Sequence, residues 1–213
     1  MPKSLIARGV ALLSAAVALG LLLAVAVTLW RESDRPPIEL TEKGVSGAAL
    51  VGGPFELTDQ HGNRVSDRDF RGRFMLVYFG YSFCPDVCPT DLAAMGAALD
   101  RLGAESEAVQ PIFITIDPER DTVRRLADYA PLFHPRLIAL TGTPEEIRRA
   151  ASAYRVYFEK AGEGRDYLMN HSGIIYLMDR DGSFITHFPQ GTPAEDIADK
   201  IRARWALGDS GSG

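Results

Sequence analysis

Cys84 and Cys88 are the only cysteines among 213 residues, and they stand with three residues between them in the stretch YFGYSFCPDVCPTDL, crowded by proline, aromatic side chains and aspartate. Two thiols this close can serve as a structural staple, a redox couple or a pair of metal ligands. As a staple, the bridge would close a loop of about five residues, and because stabilisation grows with loop length it would add little. As a redox couple, the pair departs from thioredoxin-type motifs, which have two residues between the cysteines. As metal ligands, two thiolates joined by one imidazole make a soft three-coordinate set that suits Cu(I), whereas zinc takes a fourth ligand. The local residues leave all three readings open.

A third ligand would have to come from the four histidines. His61 lies in a polar turn beside Gly62 and reads as solvent-exposed. His134, between Phe133 and Pro135, reads as surface or local packing, and His187 alternates with apolar neighbours like an ordinary sheet residue. His171 differs, because DYLMNHSGIIYLMD places it in a loop just before a strand expected to be central.

The elements that must position these groups alternate between strand and helix. FELTDQHGNRVSDRDFRG reads as a hairpin-like entry, RFMLVYFGY as a buried strand, and TDLAAMGAALDRLG as a helix whose apolar face is Leu92, Met95, Leu99 and Leu102 and which Gly103 closes. VQPIFITID is a second buried strand, and RDTVRRLADYAPLF is a helix capped by Asp121 and ended at Pro131. RLIALTG is a third strand, followed by a helix with Thr143 as N-cap and Pro144 in its first position. GIIYLMDRDGSFITHF turns back at Asp181-Gly182, and TPAEDIADKIRARWAL is the last helix. The order β-α-β-α-β-α-β-β-α predicts a mixed sheet with helices on both faces. The cysteines then sit where the first long strand gives way to the first long helix, at the sheet edge where open α/β folds bind ligands. A helix N-terminus there favours thiolate over thiol. Pro85 and Pro89 argue against a continuous helix through both cysteines and for a short irregular loop that gathers the sulfurs.

Ahead of this domain, 9–30 is an uncharged apolar run after Lys3 and Arg8, long enough to span the ~30 Å hydrocarbon core. Ala24-Val25-Ala26 also fits a signal-peptidase site, but the run exceeds the usual signal h-region, so an uncleaved anchor is the preferred reading. Arg31 and Arg35 balance Lys3 and Arg8, and flanking charge alone barely decides orientation. The expected organisation is a cytoplasmic N-terminus and transmembrane helix over 1–30, a tether over 31–53, one domain over 54–208 and a flexible tail over 209–213. Net charge is −5, which leaves no basic footprint for a nucleic-acid partner.

Four segments in order, GYSFCPDVCPTDL, TIDPERDT over 115–122, LTG over 140–142 and DYLMNHSGIIYLMD, resemble the Sco/SenC family of copper-binding, thioredoxin-fold proteins across roughly residues 50–208. The resemblance implies an α/β, thioredoxin-like (redoxin) fold with a central mixed sheet flanked by helices. It implies copper as the metal, Cu(I) and often Cu(II), with Cys84, Cys88 and His171 as ligands. The implied function is that of a copper metallochaperone assisting assembly of the binuclear copper site of cytochrome c oxidase, by delivering copper, by reducing target cysteines, or both. The implied partners are the copper-bearing oxidase subunit and a copper donor protein, and the implied location is the inner (cytoplasmic) membrane, single-pass, with the domain on the periplasmic side. The family's acidic neighbours of the site fall on Asp86 and Asp117. Where many relatives carry aspartate before the ligand histidine, this chain has Asn170, which removes a charge that could orient the imidazole.

The alternative is a membrane-anchored thiol-disulfide reductase with Cys84 and Cys88 as the catalytic pair. Thioredoxin-like reductases carry a proline facing the dithiol where this chain has Asn170-His171-Ser172-Gly173, so the reductase ranks second. A peroxidase reading from FELTDQHGNRVS ranks third, since the threonine and arginine that activate peroxide have no evident counterpart around Cys84.

Overall fold

Two apolar runs of strand length form the centre of the sheet. Phe74–Gly80 (β3) and Val109–Thr115 (β4) are buried at every residue and pair in parallel, Phe74 opposite Val109 through Gly80 opposite Thr115. In the computed structural model, which describes residues 51–164 and 166–209, they belong to a seven-stranded sheet of order β2-β1-β5-β4-β3-β8-β9. Its remaining strands are Glu56–Asp59 (β1), Arg64–Ser66 (β2), Ile138–Thr141 (β5), Ile174–Met178 (β8) and Phe184–Pro189 (β9). β5 runs parallel to β4, whereas β1 meets β5, and β8 meets both β3 and β9, in antiparallel fashion. The mixed sheet expected from the element order is present.

Four helices flank it among the described residues: Val87–Leu102 (α1), Val123–Tyr129 (α2), Pro144–Ala153 (α3) and Ala194–Asp209 (α4). Strand alternation separates them. Tyr78 of β3 turns its hydroxyl toward Cys88 and Asp91 on α1, while Phe79, the next residue, packs its ring on Tyr154 at the end of α3, 5.3 Å between centroids. So α1 and α3 lie on opposite faces of the sheet. α1 buries Cys88, Leu92, Met95, Leu99 and Leu102 and packs on α4. Thr143 caps α3 with a reciprocal Thr143–Glu146 box, and Gly103 ends α1 with φ 59°.

Three details depart from the sequence reading. α1 begins at Val87, so Cys88 and Pro89 belong to its first turn and only Cys84 stays in the loop. Proline is accommodated because first-turn N–H groups have no intrahelical acceptor. Thr122, not Asp121, caps α2, taking the Arg125 amide at 3.2 Å. A hairpin of Phe158–Ala161 (β6) and Leu168–His171 (β7) forms a separate two-stranded sheet, so His171 ends a strand rather than lying in a free loop. The strand after it, β8, is an interior strand one place from the sheet edge.

The described residues fall within one unit that begins at Ala49. Among them no helix is long and apolar enough to cross a membrane, and the span expected over 9–30 and most of the tether lie outside the described residues, as does 210–213 of the tail.

Candidate metal centre

β3 delivers the chain to the edge of the sheet at Gly80, a loop carries Cys84, and α1 opens with Cys88. The glycine is a steric requirement, since a Cβ at position 80 would stand 2.9 Å from the Cys88 sulfur. The loop is held at its start by Asp121, a wholly buried carboxylate. It accepts the Ser82 amide at 2.9 Å, the Ser82 hydroxyl at 2.5 Å and the Thr115 hydroxyl at 2.6 Å. Burial pushes the Asp121 carboxyl up from the ordinary range.

Cys84 meets the first turn of α1, where helical amides have no intrahelical partner. The Cys88 N–H lies 3.4 Å from Sγ of Cys84, and the Asp86 and Val87 amides also face that sulfur. A hydrogen bond from the Cys88 thiol, followed by these amides, outweighs burial and pulls the Cys84 thiol down to about 5. Cys88 is pushed the other way, because its proton is held in the bond to Cys84 and its sulfur is fully buried. One thiolate and one thiol therefore share a proton across the pair.

His171 completes the set. Its Nε2 lies 3.4 Å from Sγ of Cys88 and its Nδ1 3.2 Å from the Ser172 carbonyl. With the ring proton on Nδ1, that carbonyl accepts it and the Nε2 lone pair faces the sulfurs. Tyr78 and Tyr81 meet the imidazole edge-on at 6.2 and 6.0 Å between centroids, fixing the ring plane. The two sulfurs and one imidazole nitrogen lie within 4.8 Å of one another. Cys84 and His171 border a shallow cleft of about 270 Å³ lined also by Tyr81, Asp86, Val87, Met169 and Gln190, with the Cys88 sulfur buried behind them. Two soft anionic donors and one borderline nitrogen, open on one side, suit a soft monovalent ion that must enter and leave.

The other residues singled out in the sequence take different places. Asp86 is exposed at the N-cap position; its carbonyl accepts the Thr90 hydroxyl at 2.9 Å, and its amide, not its carboxylate, serves Cys84. Asp117 is buried and takes the Tyr167 hydroxyl at 2.7 Å and Arg120 Nε at 2.5 Å. Asn170 borders the cleft, but its amide donates to Glu159 at 3.1 Å, away from the imidazole. His61 and His187 are exposed, and His134 accepts the Arg136 amide at 3.1 Å. Sequence reasoning overlooked Asp91, buried on α1 with the Gly191 amide at 3.0 Å and its carboxyl pushed up by burial. A signal was there: Asp91 lies three residues beyond Cys88, on the helical face that the core occupies.

In the reduced, metal-free protein, iodoacetamide at about pH 6.5, where an ordinary thiol is almost wholly protonated, should modify Cys84 and spare Cys88. The sign follows from the depressed pKa of Cys84. The thiolate stabilises the fold above the unfolded value of 9.0, and that contribution is lost as pH falls through about 5. Peptide mapping after a short pulse checks this; equal labelling of both sulfurs would contradict the assignment.

The SCO1/SenC family model matches residues 43–206. "Protein SCO1 homolog 1, mitochondrial" of Arabidopsis thaliana is 40% identical over 170 residues, 79% of this chain and 51% of the relative. The chain thus spans about half the length of that curated relative. The copper-bound structure of Bradyrhizobium japonicum ScoI is 43% identical with a TM-score of 0.67, over 72% of this chain and 98% of that one. BsSco, described as a member of the Sco family of cytochrome c oxidase assembly proteins with a disulfide switch, is 27% identical, with a TM-score of 0.59 over 72% of this chain and 93% of its own.

Proposed function

The chain belongs to the SCO1/SenC family, and from that premise we propose that it is a copper metallochaperone. It binds Cu(I) through Cys84, Cys88 and His171 and assists assembly of the binuclear copper site of cytochrome c oxidase. The observation that carries the reading is the convergence of two sulfurs and one imidazole nitrogen within 4.8 Å, with Cys84 and His171 lining an open cleft. Cys84 meets the ion first, being already a thiolate and partly exposed. Cys88 must give up its proton as it ligates, so loading releases a proton. The imidazole closes the third position. An acceptor with better-matched ligands then removes the ion by stepwise exchange, beginning on the open side.

The donor protein and the copper-bearing oxidase subunit are the partners this exchange requires. The apolar run over 9–30 would tether the domain to the inner membrane, with the domain on the periplasmic side.

A redox comparison tests the reading. Titrated with Cu(I) against a competing chelator, the reduced protein should take up one equivalent, and the Cys84–Cys88 disulfide form should take up none, since oxidation removes both thiolates. Equal uptake by the two forms would defeat it. A second reading, thiol-disulfide reductase, is favoured by the pairing of a partly exposed, low-pKa Cys84 with a buried Cys88 that can resolve a mixed disulfide. Rapid reduction of a protein disulfide by a dithiol without copper affinity would place it first.

A further inference from the structure

His171 reaches the sulfurs from outside the main sheet. The β6–β7 hairpin that carries it pairs with none of the seven strands, so side chains must hold it against the loop bearing Cys84. One side chain touches both sides. The Arg120 guanidinium lies 3.6 Å from the ring centroid of Tyr167, just before β7, and 4.7 Å from that of Phe83, next to Cys84. It is 5.8 Å from the Tyr81 ring, whose edge contact helps set the His171 imidazole. Its Nε donates to Asp117 at 2.5 Å, and the other Asp117 oxygen takes the Tyr167 hydroxyl at 2.7 Å. Lys160, on the partner strand of the hairpin, closes the outer side of the Tyr167 ring at 3.7 Å.

We propose that Arg120 is a positioning residue for His171: by stacking between Phe83 and Tyr167 while paired with Asp117, it sets the distance between the histidine arm and the dithiol. Planarity is what the position demands. A guanidinium can offer a face to each of two rings while directing an N–H at a carboxylate, which a lysine ammonium cannot. Asp117 neutralises the partly buried charge and so acts on the site through Arg120 rather than as a neighbour of the metal. Phe83 remains 46% exposed, and none of Phe83, Arg120 and Tyr167 lines the cleft, so the stack can hold the arm without closing the entry.

The inference rests on His171 being a copper ligand, and a double-mutant cycle separates the two claims. Cu(I) affinity, by chelator competition, is measured for wild type, Arg120→Lys, His171→Ala and the double variant, together with copper K-edge EXAFS and far-UV circular dichroism. Arg120→Lys should weaken binding about tenfold, the scale typical of a ligand's supporting partner. It should reduce the imidazole scattering while retaining both Cu–S contributions, and it should add no loss in the His171→Ala background. Wild-type affinity in Arg120→Lys, or an equal loss in both backgrounds, would overturn the positioning role. Identical binding by wild type and His171→Ala would remove the ligand reading itself, and the inference with it. Phe83→Leu takes one ring from the stack without disturbing a buried charge. It should show the same loss of imidazole signal, and an intact signal there overturns the proposal even if Arg120→Lys fails to fold.

Discussion

Serine at position 88 should strip the chain of its Cu(I) affinity. The loss should exceed the ~10–100-fold that removing a ligand's supporting partner costs, because a soft anionic donor is replaced by a hard neutral one. Serine is close to isosteric with cysteine, so the buried slot against Gly80 and Tyr78 is kept and the loss is chemical rather than steric. Cys84→Ser should be as severe. His171→Ala should be milder, since two thiolates can hold Cu(I) in a two-coordinate arrangement. Competition with a Cu(I) chelator at fixed pH ranks the three, and a Cys88→Ser protein that holds copper like wild type would rule out the site. The same variant has a second readout. The Cys88 thiol is the leading cause of the low pKa of Cys84, so its removal should slow alkylation of Cys84 near pH 6.5 even without metal.

Much of this site was legible because its chemistry is compressed into one strand-to-helix junction. The run from Phe74 to Gly80 reads as a buried strand, being short, continuously apolar and rich in aromatic residues, and the spacing of Leu92, Met95, Leu99 and Leu102 reads as a buried helical face. Together they put the cysteines at the sheet edge. The β6–β7 hairpin was not legible, since its strands are only four residues long, are half exposed and carry no clear apolar period. The register that brings His171 opposite Phe158 comes from pairing across a loop, which local pattern does not encode. The entry to α1 was misjudged for a related reason: two prolines suggested an irregular loop, yet a first turn tolerates proline. Arg120 is one of three arginines in ERDTVRR and nothing in that run marks it out; only the tertiary structure stacks it between two rings. Asp121 looked like a helix cap because it precedes a helix. Its side chain instead turns inward to the cysteine loop, where no local rule would send a carboxylate.

That inward turn makes Asp121→Ala the most damaging change expected outside the cysteines and histidine. Alanine leaves the Ser82 amide, the Ser82 hydroxyl and the Thr115 hydroxyl without their acceptor in a dry interior. At ~1–3 kcal/mol for each stranded donor, partly offset by sparing a buried carboxylate its desolvation, the net loss should be about 3–5 kcal/mol. Asp121→Asn is the discriminating control, because the amide keeps one acceptor for the Ser82 N–H and the Thr115 hydroxyl. Its pH dependence has a definite sign. Burial raises the Asp121 pKa above the ordinary value of 3.8, so the wild-type carboxyl contributes its full stabilisation below that value and loses it as pH rises through the folded-state pKa. Urea melts at about pH 4 and about pH 8 should therefore show the stability difference shifting toward Asp121→Asn at the higher pH. A difference independent of pH would mean that the carboxyl titrates alike in the folded and unfolded chains. The consequence reaches the metal centre, because Ser82 stands two residues before Cys84 and also takes Arg125 Nε at 2.9 Å. Releasing it frees the loop that aims the first sulfur, so Asp121→Ala should lose copper affinity along with stability, whereas Asp121→Asn should retain both.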